Sequence, residues 1–229
     1  NLKNFNILLF PSWDCSPYDT TSPDQMLISK RFKAIRSFFQ NRQSNNLIIT
    51  SLKSLLLKIP PIQETIINTT KLQEGKNYQT YEVINILNEL GYNRVELVLA
   101  PNEYAARGGI IDLWPVGEDK PFRLDFFGDK LEEIKEFDPI SQISLNKKNS
   151  ILIFESVECP LSNKAKNIFI SNYREKFGPV INKELFTHTI KITNKVDSIE
   201  HWLPLFYSRK LISQFDLFRP NLVIANENI

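Results

Sequence analysis

Glycine is scarce in this chain: seven in 229 residues, and none before Gly75. A phosphate-cradling loop needs glycines between a strand and a helix, so that backbone N–H groups can close on the phosphates. Gly75-Lys76 is followed by Asn77, where such a loop needs Ser or Thr, and Thr70 stands where its leading glycine belongs. A last apolar run at 222–225 leads into Asn226-Glu227, without the aspartate of a magnesium-holding strand end. Nucleotide chemistry is therefore not expected of these residues. Cysteine and histidine are rarer still: Cys15 and Cys159 are far apart in sequence, and His188 and His201 are the only imidazoles. That excludes the usual zinc spacings and leaves two unpaired thiols in a reducing cytosol as the simplest reading. No GxSxG elbow accompanies the histidines. No run of 18 apolar residues occurs, so no membrane span is expected, and no signal-peptide pattern opens the chain. The chain starts at Asn1 and runs almost directly into an apolar strand, which suggests a piece of a longer protein.

What is present suffices for one large domain or two modest ones. Hydrophobic residues make up 42%, enough for a real core. The net charge of +2 hides a division. Residues 1–60 hold 8 basic and 3 acidic side chains, residues 100–140 hold 5 and 10, and residues 141–229 hold 12 and 8. An acidic middle repels phosphate, so a partner there is expected to be protein. The basic flanks are expected to be mainly solvated faces.

Residues 7–10 read as a short buried strand, followed by the proline-bounded loop 11–23. Ser22 as N-cap and Pro23 at the first helical position predict a helix, with Ile28, Phe32, Ile35 and Phe39 as its apolar stripe. Lys30, Arg31, Lys33 and Arg36 should lie mostly away from it. A strand at 47–49 and a short helix at 51–57 complete a parallel α/β rhythm, which Pro60-Pro61 ends. A more antiparallel stretch follows. Strands are expected at 65–70, 94–99, 108–114, 122–127 and 130–137, with a helix over 78–90 stopped by Gly91. Gly128-Asp129 is a two-residue hairpin turn. From 151 the α/β rhythm returns: a strand at 151–154, a helix at 163–177 capped by Ser162 and closed by Gly178, further helices at 182–189 and 198–205, and a buried strand at 222–225.

One ordered string stands out: Tyr104-Ala105-Ala106-Arg107-Gly108-Gly109, Ile111-Asp112, Pro115, Arg123-Leu124-Asp125-Phe126-Phe127-Gly128-Asp129 and Phe137-Asp138-Pro139. It resembles the module shared by two bacterial excision-repair families, UvrB and the transcription-repair coupling factors (Mfd). The flanks favour the second: Phe10-Pro11-Ser12-Trp13-Asp14, Pro17-Tyr18-Asp19, Ser22-Pro23-Asp24-Gln25, Ser29-Lys30-Arg31 and Glu200-His201-Trp202-Leu203-Pro204-Leu205-Phe206. The long tyrosine-rich stretch of UvrB is missing. Trp114 departs from the family's usual Phe but stays aromatic.

The resemblance implies an α/β fold: a degenerate RecA/helicase-like parallel-sheet domain, truncated at its start, interrupted by a small α+β inserted domain. The parts would be 1–60, an insert at 61–146, and 147–229. It implies that the insert docks onto UvrA through Arg107, Arg123 and Phe127, and that this region recruits the excision-repair machinery in transcription-coupled repair. It implies no catalytic residue, metal or cofactor here. ATP and magnesium would serve a motor elsewhere in the full protein, as would contacts with RNA polymerase and double-stranded DNA.

Alternation along 122–127 gives independent, partial support. It places Phe122, Leu124 and Phe126 on one face and Arg123, Asp125 and Phe127 on the other. An aromatic beside an Arg on a polar face is hot-spot composition. The plainer reading stays open: Phe127 covers the hairpin turn, and Arg123 pairs with Asp125 or a nearby Glu. A two-residue turn also sets Asp125 opposite Glu132, a like-charge pair, unless Arg123 bridges them or a bulge shifts the register. Gly108-Gly109 reads as a tight backbone turn, and Trp13 and Tyr18 as loop packing ahead of base stacking. A fragment of an active ATP-dependent DNA helicase, or a UvrB-type damage-binding protein, is the alternative function.

Overall fold

The computed structural model describes residues 4–16, 19–61, 69–160, 162–179 and 198–225. Tyr18, the start of the expected strand 65–70, the expected helix 182–189 and Asn226-Glu227 lie outside them.

The first elements follow the expected rhythm. Strand β1 (Phe5–Phe10) pairs in parallel with β2 (Asn45–Thr50), and helix α1 (Gln25–Gln40) makes the crossover that a parallel pair requires. The helix starts two residues later than expected. Its cap is Asp24, whose carboxylate accepts from the Met26 N–H at 2.7 Å. Ser22 is used elsewhere: its hydroxyl donates to the Glu200 carboxylate at 2.8 Å and accepts from the Ser198 N–H at 2.9 Å. The buried stripe of α1 is Ile28, Ser29, Arg31, Ala34 and Phe38, rotated from the expected one. Phe32, Ile35 and Phe39 are only partly buried.

Arg31 causes that rotation. Far from being solvated, it is fully buried, with Nε 2.6 Å from Glu158 Oε1, Nη1 donating to the Pro11 carbonyl at 2.9 Å, and its guanidinium 4.4 Å from the Phe10 ring centre. Trp13 Nε1 donates to the other Glu158 oxygen at 2.9 Å, so Trp13 packs the loop, as expected. A buried charge persists only when paired and hydrogen-bonded.

Helix α2 (Leu52–Leu56) is capped by Ser51. Next, β3 (Thr70–Gln73) leads to α3 (Thr80–Glu89), which stops before Gly91 at φ +87°. A six-stranded sheet follows in sequential order: β4 (Asn93–Arg94), β5 (Glu103–Arg107), β6 (Ile110–Leu113), β7 (Phe122–Phe127), β8 (Lys130–Phe137) and β9 (Ser144–Lys147). The strand expected at 94–99 shrinks to two residues, while β5 and β9 were not foreseen. Then β10 (Ser150–Ile153) pairs antiparallel with β3, not with the β1–β2 sheet. Leu72 of β3 and Ile151 and Ile153 of β10 share one core with α3 and the inner face of the large sheet.

Helix α4 (Asn163–Phe177) has the expected Ser162 cap and closes on Gly178 at φ +81°. The expected helix over 198–205 is a 3₁₀ helix, Ile199–Leu205, with Pro204 inside it; Pro lacks the N–H that an α-helix would use. Helix α5 (Gln214–Phe218) brings Phe218 edge-on to Phe10 and Phe38, at 5.5 and 5.1 Å between ring centres. The run at 222–225 is not a buried strand: Leu222 and Ile224 are 75% and 84% exposed, and no strand pairs there. A four-residue apolar run does not specify its own partners. The architecture is thus mixed α/β, with three separate sheets among the described residues. No helix among them is long and apolar enough to cross a membrane.

Candidate partner-docking face

The large sheet has two unlike faces. Tyr104, Ile111, Leu113, Phe122, Leu124, Phe126, Leu131 and Ile134 point inward onto Val83 and Leu87 of α3. Alternation then turns Ala105, Arg107, Ile110, Asp112, Arg123, Asp125, Phe127, Glu133 and Lys135 outward.

Register sets the neighbours. Ala105, Asp112, Arg123 and Lys135 lie side by side across four strands, and Arg107, Ile110, Asp125 and Glu133 form the next row. Phe127 follows at the end of β7, before Gly128 at φ +61°, and is 77% exposed. The structure therefore brings Arg107, Arg123 and Phe127 onto one face, as the period-two reading required for the last two.

The three are not equivalent. Arg123 is committed within the chain. Its Nε and Nη2 reach the two Asp112 oxygens at 2.7 and 2.9 Å, Nη1 donates to the Gln142 carbonyl at 3.3 Å, and its guanidinium lies 4.9 Å from the Phe137 ring centre. The bond to the Asp112 carboxylate raises its pKa above the ordinary value. Its partner is thus Asp112 on the neighbouring strand, and not Asp125 or a Glu. Asp112 is only 6% exposed. Arg107 is exposed, and its guanidinium donates to the backbone carbonyl of Glu96. Phe127, at the end of β7, is 77% exposed, so the chain itself covers little of the ring.

The like-charge problem is resolved by a bulge. Glu132 is the extra residue in β8, so Asp125 opposes Glu133. Lys135 and Lys147 both bind the Glu133 carboxylate and hold its pKa down to about 2. Gly108, at φ +58°, and Gly109 make the tight turn between β5 and β6, as expected. A Cβ on Gly109 would stand 2.6 Å from the Phe126 carbonyl oxygen, so only glycine lets this turn lie against β7.

Part of the sequence's charge division is satisfied internally. Lys33 pairs with Asp119, Arg36 with Glu118 at 2.7 Å, and the Gly117 N–H donates to Ser29 Oγ at 3.0 Å. Lys33 and Arg36 of α1 therefore face the acidic 117–119 loop, while Lys30 and Lys33 stay exposed as expected of a solvated face. Cys15 and Cys159 are both free and buried, as expected of unpaired thiols. No group of three or more His, Cys, Asp or Glu side chains suited to a metal ion occurs among the described residues.

Sequence reading missed Asp112 as a partner and Ile110 as a member of the face. The alternation of Ile110-Ile111-Asp112-Leu113 places them together; their neighbours need the strand register.

The family described as UvrB interaction domain matches residues 70–158, which hold this sheet and α3. The whole chain aligns with transcription-repair-coupling factors. It is 33% identical to that of Haemophilus influenzae over 229 residues, covering 99% of this chain and 20% of the relative. The Escherichia coli protein is 28% identical over 220 residues (96% and 19%), and the Rickettsia bellii protein 34% over 206 (90% and 18%). The chain is similar to one segment of the transcription-repair-coupling factors. It spans about a fifth of the length of the relatives it matches. Within this segment, the outward face of the UvrB interaction domain carries the exposed aromatic, and the remaining elements seat that domain through α1.

Proposed function

We propose that this segment of a transcription-repair-coupling factor is a non-catalytic docking module that recruits the excision-repair machinery by binding UvrA. Phe127 carries the reading: an aromatic ring 77% exposed on a sheet face that also carries the exposed Arg107. A large ring held in water gains on burial in a partner, and an Arg nearby offers a planar fork to a partner carboxylate. Arg107 and Phe127 act as contacts, and Arg123 as the brace beneath them. The lack of a phosphate loop supports an α/β scaffold that is a degenerate RecA-like domain and holds no ATP itself. The motor, with its ATP and magnesium, and the contacts with RNA polymerase and DNA, belong to other parts of the full-length factor, which acts in the cytoplasm.

Titration of the chain with UvrA tests this. Phe127→Ala should weaken binding about 5- to 30-fold, with an unchanged melting temperature because the ring packs on little in the free chain. If Phe127→Ala and Arg107→Ala both bind as the parent does, the face is not the docking site.

A further inference from the structure

The outer face holds a residue that the resemblance does not assign. Ile110 is 38% exposed at the start of β6. Register sets it directly between Arg107 on β5 and Asp125 on β7. Phe127 lies two residues beyond Asp125 on the same face, so it is the diagonal neighbour of Ile110, within reach of an aromatic ring.

The position directly opposite Phe127 belongs to Gly108, where β6 has given way to the turn. Gly108 offers no side chain, and the space where its Cβ would stand is open. Gly109 lies too close to the Phe126 carbonyl for any side chain, and its carbonyl accepts from the Phe126 N–H at 2.8 Å. The two glycines thus pin the turn to β7 and strip it bare. Around Phe127 the apolar side chain that register brings nearest is Ile110. Arg107 bounds the pair on one side and Asp125 on the other.

We infer that Ile110 and Phe127 form a two-residue apolar anchor for the partner, and that Ile110 is a specificity-determining residue of the docking face. The inference rests on the docking reading above. The complementary surface is an apolar hollow wide enough for a phenyl ring and a branched aliphatic chain side by side. A carboxylate at its rim lies within reach of Arg107. An apolar pair with a charged rim gains by desolvating its centre, which a lone ring cannot do as fully. The turn glycines keep this centre accessible from β7's end.

The test is a double-mutant cycle by titration with UvrA, using Ile110→Ala, Phe127→Ala and both together, each variant also being melted. Ile110→Ala should lower affinity roughly five- to tenfold with near-parental melting. The double variant should lose less than the product of the single losses, because the two side chains share one hollow. Ile110→Val, which keeps a branched apolar side chain, should restore most of the affinity. A surface role in folding alone would leave affinity and coupling unmoved. If Phe127→Ala weakens binding while Ile110→Ala binds as the parent does, the anchor is Phe127 alone and the inference fails. If Phe127→Ala binds normally the inference fails, and if Arg107→Ala does so too the docking reading fails with it. Should Ile110→Ala melt far below the parent, Ile110→Thr, which keeps a β-branched strand residue but makes the surface polar, decides the matter. A loss of affinity coupled to Phe127→Ala supports the pair, and parental affinity overturns it.

Discussion

Replacing Arg123 by Ala should cost stability as well as docking, and the two effects can be separated. The side chain gives Asp112 two hydrogen bonds, at 2.7 and 2.9 Å, and ties β7 to the 138–143 loop through Gln142. Asp112 is 6% exposed, so truncating Arg123 leaves a nearly buried carboxylate without its counter-ion. Breaking a fully buried pair costs about 3–5 kcal/mol. Here the Arg side chain is 25% exposed, and the space it vacates opens to water, which reduces the loss to about 2–3 kcal/mol. For a chain of this size that corresponds to a fall in melting temperature of roughly 5–10 °C. Adding Asp112→Asn to Arg123→Ala should recover part of the loss, since the cost lies in the unpaired charge. Calorimetric or dichroism melts of the single and double variants measure it. If Arg123→Ala melts with the parent, the brace is not structural. If Asp112→Asn deepens the loss in the double variant, the unpaired-charge argument is wrong.

Two further predictions come from buried acids. Glu155 is 2% exposed, its Oε2 has no hydrogen-bond partner among the described residues, and burial pushes its pKa from 4.5 up to about 8. Below about pH 4.5 both folded and unfolded chains hold the proton; between there and pH 8 only the folded chain does, so stability falls as pH rises and the cost is complete above pH 8. Glu155→Gln should therefore match the parent near pH 4 and exceed it in urea denaturation above pH 8, by at most about 5 kcal/mol; equal stability at both pH values would refute a titrating buried carboxyl. Glu158→Ala leaves Arg31 fully buried and removes the acceptor of Trp13 Nε1, so it should cost about 3–5 kcal/mol by the same denaturation assay, while Arg31→Met with Glu158→Gln together should cost markedly less. Equal losses in the two would show that packing, not unpaired charge, sets the cost.

Local signals alone determined a good deal here. The helix over 163–177 announced its Ser162 cap and Gly178 stop, because capping is chemistry between residues three or four apart. The β7–β8 hairpin was legible from Gly128-Asp129, and the split of Phe122, Leu124 and Phe126 from Arg123, Asp125 and Phe127 followed from the strand's period of two. The resemblance in residues 102–139 then pointed to a docking face. What required the tertiary structure was everything set by a distant partner. Arg31 read as a solvated helix residue until Glu158, 127 positions away, drew it into the interior and turned α1 with it. Arg123's choice of Asp112 depended on strand register, which no local pattern states. The bulge at Glu132 and the pairing of β10 with β3 are likewise negotiated between strands. The run at 222–225 shows the limit: four apolar residues offer a strand, but only neighbours with free N–H and C=O groups make one. Ile110 sits beside Phe127 for that same reason: sequence says which way each side chain points, and the paired backbones decide what it meets.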